Sequence, residues 1–192
     1  MRSTIYHITE IFYSLQGEGF HTGRPAVFVR FAGCNLRCPF CDTDFSHSEP
    51  MTAAQIAERV FAYSTDPDTL IVLTGGEPSL QVDKPLIDVL HSRRQTIAIE
   101  TNGTHRLPNG IDWVTLSPKA GSTVVLTRAD ELKVVFTGQT STELDTLKNS
   151  IQTTHYYLQP CSCSNTEAVV AYIRQHPQWR LSLQTHKYIH IQ

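Results

Sequence analysis

Three cysteines fall within one short stretch, Cys34-Asn35-Leu36-Arg37-Cys38-Pro39-Phe40-Cys41, with the spacing C-x3-C-x2-C. They follow the apolar run Ala26-Val27-Phe28-Val29-Arg30-Phe31-Ala32 and a single glycine, Gly33. A strand that empties into a loop of thiols is a metal cradle in outline. The number of ligands is informative. A structural zinc ion normally closes its shell with four, whereas an iron–sulfur cubane on three thiolates keeps one iron open for another ligand. The alternative is a zinc site completed by His47 or a more distant residue.

Other chemistry-bearing residues are grouped where strands give way to turns. Gln16-Gly17-Glu18-Gly19 combines a tight turn with an amide and a carboxylate, a pair suited to a guanine-like edge. By itself Gly-Glu-Gly reads equally as a hairpin turn. Arg30 sits among apolar neighbours, so it either faces solvent on an alternating strand or points into a cavity that holds an anion. Thr74-Gly75-Gly76-Glu77-Pro78, Glu100-Thr101-Asn102-Gly103, Ser117-Pro118-Lys119 and Gln159-Pro160 each end a strand-like run. In parallel α/β sheets such carboxyl ends form the functional rim. Cys161 and Cys163 read as incidental, and Trp113 and Trp179 as core.

The elements that must position these groups follow from periodicity. Strands are expected over Tyr6 to Leu15, Pro25 to Ala32, Thr69 to Leu73, Thr96 to Ile99, Trp113 to Leu116, Glu131 to Phe136, His155 to Leu158 and Arg180 to Leu183. Helices are expected over Thr52 to Phe61, with Thr52 as N-cap, Pro85 to Leu90, Ser141 to Lys148 and Thr166 to Gln175. Strand–helix alternation predicts an α/β fold with a parallel sheet. A complete eight-unit barrel takes about 250 residues. The 192 residues here therefore predict an open, partial barrel of about six strands, with loops replacing helices between Glu100 and Glu131. Residues 1–192 read as a single domain.

Hydrophobic residues make up 40% and charged residues 18%, and the net charge is −2, so no basic face calls for nucleic acid. Met1-Arg2-Ser3-Thr4 leads straight into a strand pattern, with no secretory signal. No apolar run has the length of a membrane span. Clustered thiols without a framework spacing suit a reducing, cytoplasmic compartment.

The cysteine loop, with Phe40 before its last cysteine, together with the Thr74–Pro78 and Glu100–Gly103 motifs, resembles the radical S-adenosylmethionine (radical SAM) superfamily. Ser14-Leu15-Gln16-Gly17-Glu18-Gly19, Arg30, Cys41-Asp42-Thr43, Ser117-Pro118-Lys119, Gln159-Pro160 and Gln184-Thr185-His186-Lys187 resemble one family within it, the 7-carboxy-7-deazaguanine synthases. The resemblance runs nearly the whole length of the chain.

It implies a [4Fe–4S] cluster on Cys34, Cys38 and Cys41, and S-adenosylmethionine against Phe40, Cys41, Asp42, Gly76, Glu77, Ser117, Pro118, Lys119 and Gln159. It further implies a magnesium ion on Thr43. The substrate, 6-carboxy-5,6,7,8-tetrahydropterin, would be held by Leu15, Gln16, Gly17, Glu18, Arg30 and Thr74, with Gln192 reaching it from a folded-over tail. The tail reads equally as a solvated strand. A flavodoxin-like reductant and a homodimer are also expected. Two competing readings are a radical SAM activase of a glycyl-radical enzyme and a zinc-stabilised binding module.

Overall fold

The computed structural model describes residues 4–44 and 47–192. Met1, Arg2 and Ser3, expected to lead into the first strand, lie outside the described residues. The elements in chain order are β1 (Ile5–Leu15), β2 (Pro25–Phe31), β3 (Glu49–Thr52), α1 (Ala53–Tyr63), β4 (Leu70–Gly75), α2 (Lys84–Leu90), β5 (Ile97–Thr101), β6 (Trp113–Leu116), β7 (Glu131–Phe136), α3 (Ser141–Ser150), β8 (His155–Pro160), α4 (Thr166–Gln175), β9 (Arg180–Leu181) and α5 (Thr185–Ile189).

Among the described residues nine strands form one sheet in the order β3-β1-β2-β4-β5-β6-β7-β8-β9. Neighbours from β2 to β9 are all parallel. At one edge β1 runs antiparallel to β2, and β3 antiparallel to β1. The sheet has two edges and stays open, the partial barrel that the alternation predicts. The parallel part has seven strands against the expected six or so, and the last of them, β9, is two residues long. No helix is described between β5 and β7, so those crossovers are loops, as their lengths require.

Side chains alternate across each strand. Val27, Val29 and Phe31 of β2, Ile71 and Leu73 of β4, and Ile97 and Ile99 of β5 pack outward against Ile56 and Val60 of α1 and Leu86, Ile87 and Leu90 of α2. Leu116, Leu132, Val134 and Leu158 pack outward with Leu144, Val169 and Trp179. Each such fully buried side chain contributes about 1.5–3 kcal/mol. Capping boxes at Thr52 with Gln55, and at Thr140 with Glu143, start α1 and α3.

The inner face is divided along its height. At the amino ends of the strands Ala26, Leu70, Val72 and Ala98 form a small apolar layer with Phe28 and Trp113. The loop between β1 and β2 plugs this end: Phe20 stacks on Trp113 at 4.7 Å and lies 4.6 Å from His155. Trp113 is therefore part of an aromatic plug and is half-buried rather than deep in the core, while Trp179 is buried as expected.

Two elements depart from the sequence reading. Glu49–Thr52 pairs with β1 as a strand. The expected final strand stops at Leu181, and beyond it the Ser182 hydroxyl turns inward to donate to Gln159 Oε1 at 2.9 Å. The tail then winds into α5 instead of continuing extended.

Candidate active site

One cavity of about 700 Å³ opens at the carboxyl ends of the parallel strands. Cys34, Phe40, Cys41, Asp42 and Thr43 line one wall, together with Cys38. Gly76, Glu77, Ser117, Lys119, Gln159, Leu15, Gln16, Gly17, Glu18, Arg30, Thr74 and Gln192 line it as well. Of the residues that the resemblance assigns to cluster, cofactor, magnesium or substrate, Pro118 is the one that does not line it.

The cysteine loop is fixed at its root by backbone contacts. Gly76 N–H donates to Phe31 O at 3.0 Å and Glu77 N–H to Gly33 O at 2.9 Å. A Cβ at Gly76 would collide with the Gly33 carbonyl oxygen. The glycine pair thus lets the end of β4 lie against the end of β2, at the place where the resemblance sets Gly76 against the cofactor. Asn102 Nδ2 donates to Asn35 Oδ1 at 3.1 Å, and Asn35 Nδ2 to Thr104 Oγ1 at 2.9 Å, tying the loop to the end of β5.

Glu77 is buried. Its carboxylate accepts from Ser79 N–H at 3.0 Å, from the Thr101 hydroxyl at 2.6 Å and from Asn102 N–H at 2.7 Å. A carboxylate has about four acceptor positions, so most of its capacity organises the β4 and β5 ends. Lys119 Nζ donates to Ser117 O and Ser117 Oγ, both at 2.7 Å. Burial, and then the Lys133 charge, push Lys119 below the ordinary lysine range. Among the described residues it has no ion pair, which suits it to an incoming carboxylate.

Arg30 lines the cavity rather than facing solvent. Its Nε donates to Glu10 Oε1 at 2.7 Å and its guanidinium stands 5.8 Å from the Phe12 ring centroid. Glu10 in turn accepts from Gln192 Nε2 at 2.7 Å.

A further buried charge in the cavity is Lys133, which sequence reading passed over. Its side chain is 3% exposed, and Nζ donates to Glu18 Oε2 at 2.6 Å and Glu100 Oε2 at 2.7 Å. Gln184 Nε2 completes Glu18 at 3.0 Å, and Gln16 Nε2 reaches Glu100 at 3.3 Å. Burial alone would raise the Glu18 carboxyl, but Lys133 overrides it and holds it at about 2. Burial likewise disfavours the Lys133 charge, yet the Glu100 and Glu18 carboxylates hold it above the ordinary lysine range.

The tail folds along the cavity. Thr185 N–H donates to Gly17 O at 2.9 Å, Lys187 Nζ to Asp42 Oδ2 at 2.6 Å, and the Ser14 hydroxyl to Gln192 O at 2.7 Å. Gly19 takes a positive φ of 66° beside Glu131, where a side chain would collide with the carboxylate. Its N–H donates to Ser182 Oγ at 3.0 Å. The β1–β2 loop thereby crosses from one edge of the sheet to the other.

The donor set fits an iron–sulfur cluster better than a lone ion. Among the described residues no three His, Cys, Asp or Glu side chains converge closely enough to hold a single metal ion. His47, the fourth ligand weighed for zinc, is exposed. A cubane takes one thiolate per iron and does not require three sulfurs to meet at a point. Leu36 N–H points at Cys34 Sγ at 3.4 Å. Burial pushes the Cys34 thiol up, so it is a metal cation that would draw off its proton. Cys161 and Cys163 occupy a turn next to Ser162, which lines the cavity.

The radical SAM superfamily profile matches residues 28–148. The 7-carboxy-7-deazaguanine synthase of Bacteroides thetaiotaomicron is 54% identical over 184 residues, covering 96% of this chain and 97% of that protein. The enzyme of the same name from Nitratidesulfovibrio vulgaris is 44% identical over 215 residues, covering 97% and 99%. The crystal structure of QueE from Escherichia coli superposes with a TM-score of 0.80 at 30% identity, over 95% of each chain.

Proposed function

Since this chain belongs to the 7-carboxy-7-deazaguanine synthase family of the radical SAM superfamily, we propose that its cavity converts 6-carboxy-5,6,7,8-tetrahydropterin to 7-carboxy-7-deazaguanine with loss of ammonia. The observation that carries this reading is the meeting, in one cavity, of a three-cysteine wall with Arg30, Lys119 and the Glu18–Lys133–Glu100 network. A glycyl-radical activase must admit a protein segment. The tail packed along this cavity and the paired carboxylates within it suit a small heterocycle instead.

When bound, a [4Fe–4S] cluster on Cys34, Cys38 and Cys41 with S-adenosylmethionine at its open iron supplies one-electron cleavage of the sulfonium and hydrogen-atom abstraction. The protein supplies orientation and exclusion of water. Lys119 and Ser117 meet the cofactor's carboxylate and ribose, and Phe40, Asp42, Gly76, Glu77 and Gln159 frame it. Lys119 needs no displacement of a partner carboxylate to do so. Arg30 is the cation for the substrate carboxylate, with Glu10 fixing its Nε and leaving the guanidinium tip to bind.

A magnesium ion at Thr43 would share that carboxylate. It keeps waters and substrate oxygens among its ligands and needs few from protein. Leu15, Gln16, Gly17 and Glu18 face the pterin edge, Thr74 adds a hydroxyl, and Gln192 closes the tail side. The continuous sheet supports action as one domain, and one-electron cleavage of the sulfonium would need a reductant, for which a donor of flavodoxin type is suited. Cytoplasmic location and a homodimer belong to the same reading. No described helix is long and apolar enough to cross a membrane.

The test is oxygen-free incubation of reduced protein with S-adenosylmethionine and the carboxypterin, followed by mass analysis. The deazaguanine mass and a brown, iron-containing protein are expected. In Cys38→Ala, iron retention and sulfonium cleavage should both be lost. Retained cleavage in that variant, or absence of product from the parent protein, overturns the reading.

A further inference from the structure

We propose that Lys133 is a positioning residue for the substrate: from the inner face of β7 it holds Glu18 and Glu100, carried by two other elements, as an acceptor pair for adjoining N–H groups of the bound heterocycle. This rests on the function proposed above and extends it to a residue that the sequence reading left unassigned.

The geometry separates this from simple cohesion. One ammonium contacts two carboxylates, at 2.6 and 2.7 Å, and its side chain is 3% exposed. The triad leaves one negative charge uncompensated, with Glu131 two residues away on the same face of β7. Buried ion pairs are weak stabilisers, and apolar residues of similar volume often hold two segments together at least as well. A three-group ion cluster is therefore a poor way merely to fasten the β1–β2 loop.

The two carboxylates are not sealed in. Glu18 and Glu100 are 18% and 20% exposed, and both line the cavity along with Lys133 itself. Their other oxygens are oriented by Gln184 and Gln16. Two carboxylates this close repel each other, and without a cation between them one takes up a proton and becomes a donor. Lys133 removes that conflict. Carboxylates are acceptor-only groups, so the pair selects a ligand edge with neighbouring N–H groups, such as the amino-substituted pyrimidine ring of a pterin. Strand β7 supplies a rigid base, and because the loop carrying Glu18 is already fastened by Gly19 N–H to Ser182 Oγ and Phe20 N–H to Glu131 Oε2, the ammonium is left to set the carboxylate itself.

The experiment compares parent protein, Lys133→Met and Lys133→Arg, each reconstituted with iron and sulfide. Carboxypterin dissociation constants are measured by oxygen-free calorimetry, alongside iron content and KM for S-adenosylmethionine. Lys133→Met should weaken carboxypterin at least about 30-fold, with iron content and cofactor KM within about two-fold of the parent. Lys133→Arg should recover most of the loss, because a guanidinium can still bridge two carboxylates. Parent-like carboxypterin affinity in a cluster-bearing Lys133→Met protein overturns the inference and leaves the proposed function standing. A parent protein that does not bind carboxypterin overturns both. Should Lys133→Met not fold, Lys133→Gln keeps a neutral donor between the two carboxylates; folded, cluster-bearing protein with carboxypterin affinity lost supports the inference, and parent-like affinity overturns it.

Discussion

Lys187 Nζ lies 2.6 Å from Asp42 Oδ2, joining the last helix to the residue that follows the third cysteine. The clasp couples two parts of the chain far apart in sequence. Its side chains are 36% and 55% exposed, so its contribution to stability is about 0.2–1 kcal/mol. Its consequence is order in the tail.

In Lys187→Met, amides over 185–191 should exchange with solvent about five-fold faster, while the midpoint of global unfolding barely moves. Burial tends to raise the Asp42 carboxyl, but Lys187 outweighs it and holds the group below its ordinary value. A depressed carboxylate stabilises above its unfolded pKa and loses that contribution as pH falls through the folded one. The parent tail should therefore loosen only below about pH 4. Unchanged exchange in the variant would show that the clasp does not order the tail.

Gly76→Ala tests the root of the cysteine loop. The added methyl meets backbone of Gly33, which cannot swing aside as a side chain would. Unfolding in urea should report a loss of about 1–3 kcal/mol, with an unchanged slope. Iron retention should fall with it, since the same contact sets the loop. Parent-like stability and iron content would remove Gly76 from this role.

Glu131 gives stability an alkaline weakness. Burial, then Glu100 and Glu18, raise its carboxyl to about 7 despite Lys133, from an ordinary value of 4.5. The folded chain thus binds a proton that the unfolded chain has released between those two values. The contribution is present at low pH and declines as pH rises through that window, by about 3 kcal/mol at most. Glu131→Gln keeps an oxygen to accept from Phe20 N–H, whose bond is 3.0 Å in the parent. Denaturation at pH 8 should show the variant more stable by about 1–3 kcal/mol, with the gap closing by pH 5. An equal gap at both pH values would contradict this account.

Much of the scaffold was readable because its signals are local. Trp113–Leu116, Glu131–Phe136 and Thr166–Gln175 end where apolar periodicity ends. Thr52 caps α1 through the box it forms with Gln55. The cysteine wall was equally plain, because its ligands are neighbours in sequence.

Lys133 escaped for a physical reason. Glu131 and Lys133 alternate with Leu132 and Val134, a pattern that elsewhere means a wet outer face. In an open barrel the polar side is the inner one, and only the arrival of Glu18 and Glu100 gives the ammonium its meaning. Glu10 beside Arg30, and Asn35 beside Asn102, were hidden in the same way by sequence distance. Helix α5 is five residues long and takes its position from Gly17 and Asp42, which no periodicity encodes.

The plug formed by the β1–β2 loop bears on how the chain matures. Phe20 and Gly19 are synthesised more than a hundred residues before Glu131, His155 and Ser182, on which they rest. Such high contact order slows folding. On the ribosome the amino-terminal hairpin must wait, its aromatic tip uncovered, until β8 and β9 have left the exit tunnel. A nascent chain stalled before His155 should therefore be a client for holding chaperones, and release of the segment from His155 to Ser182 the event that seals the barrel floor.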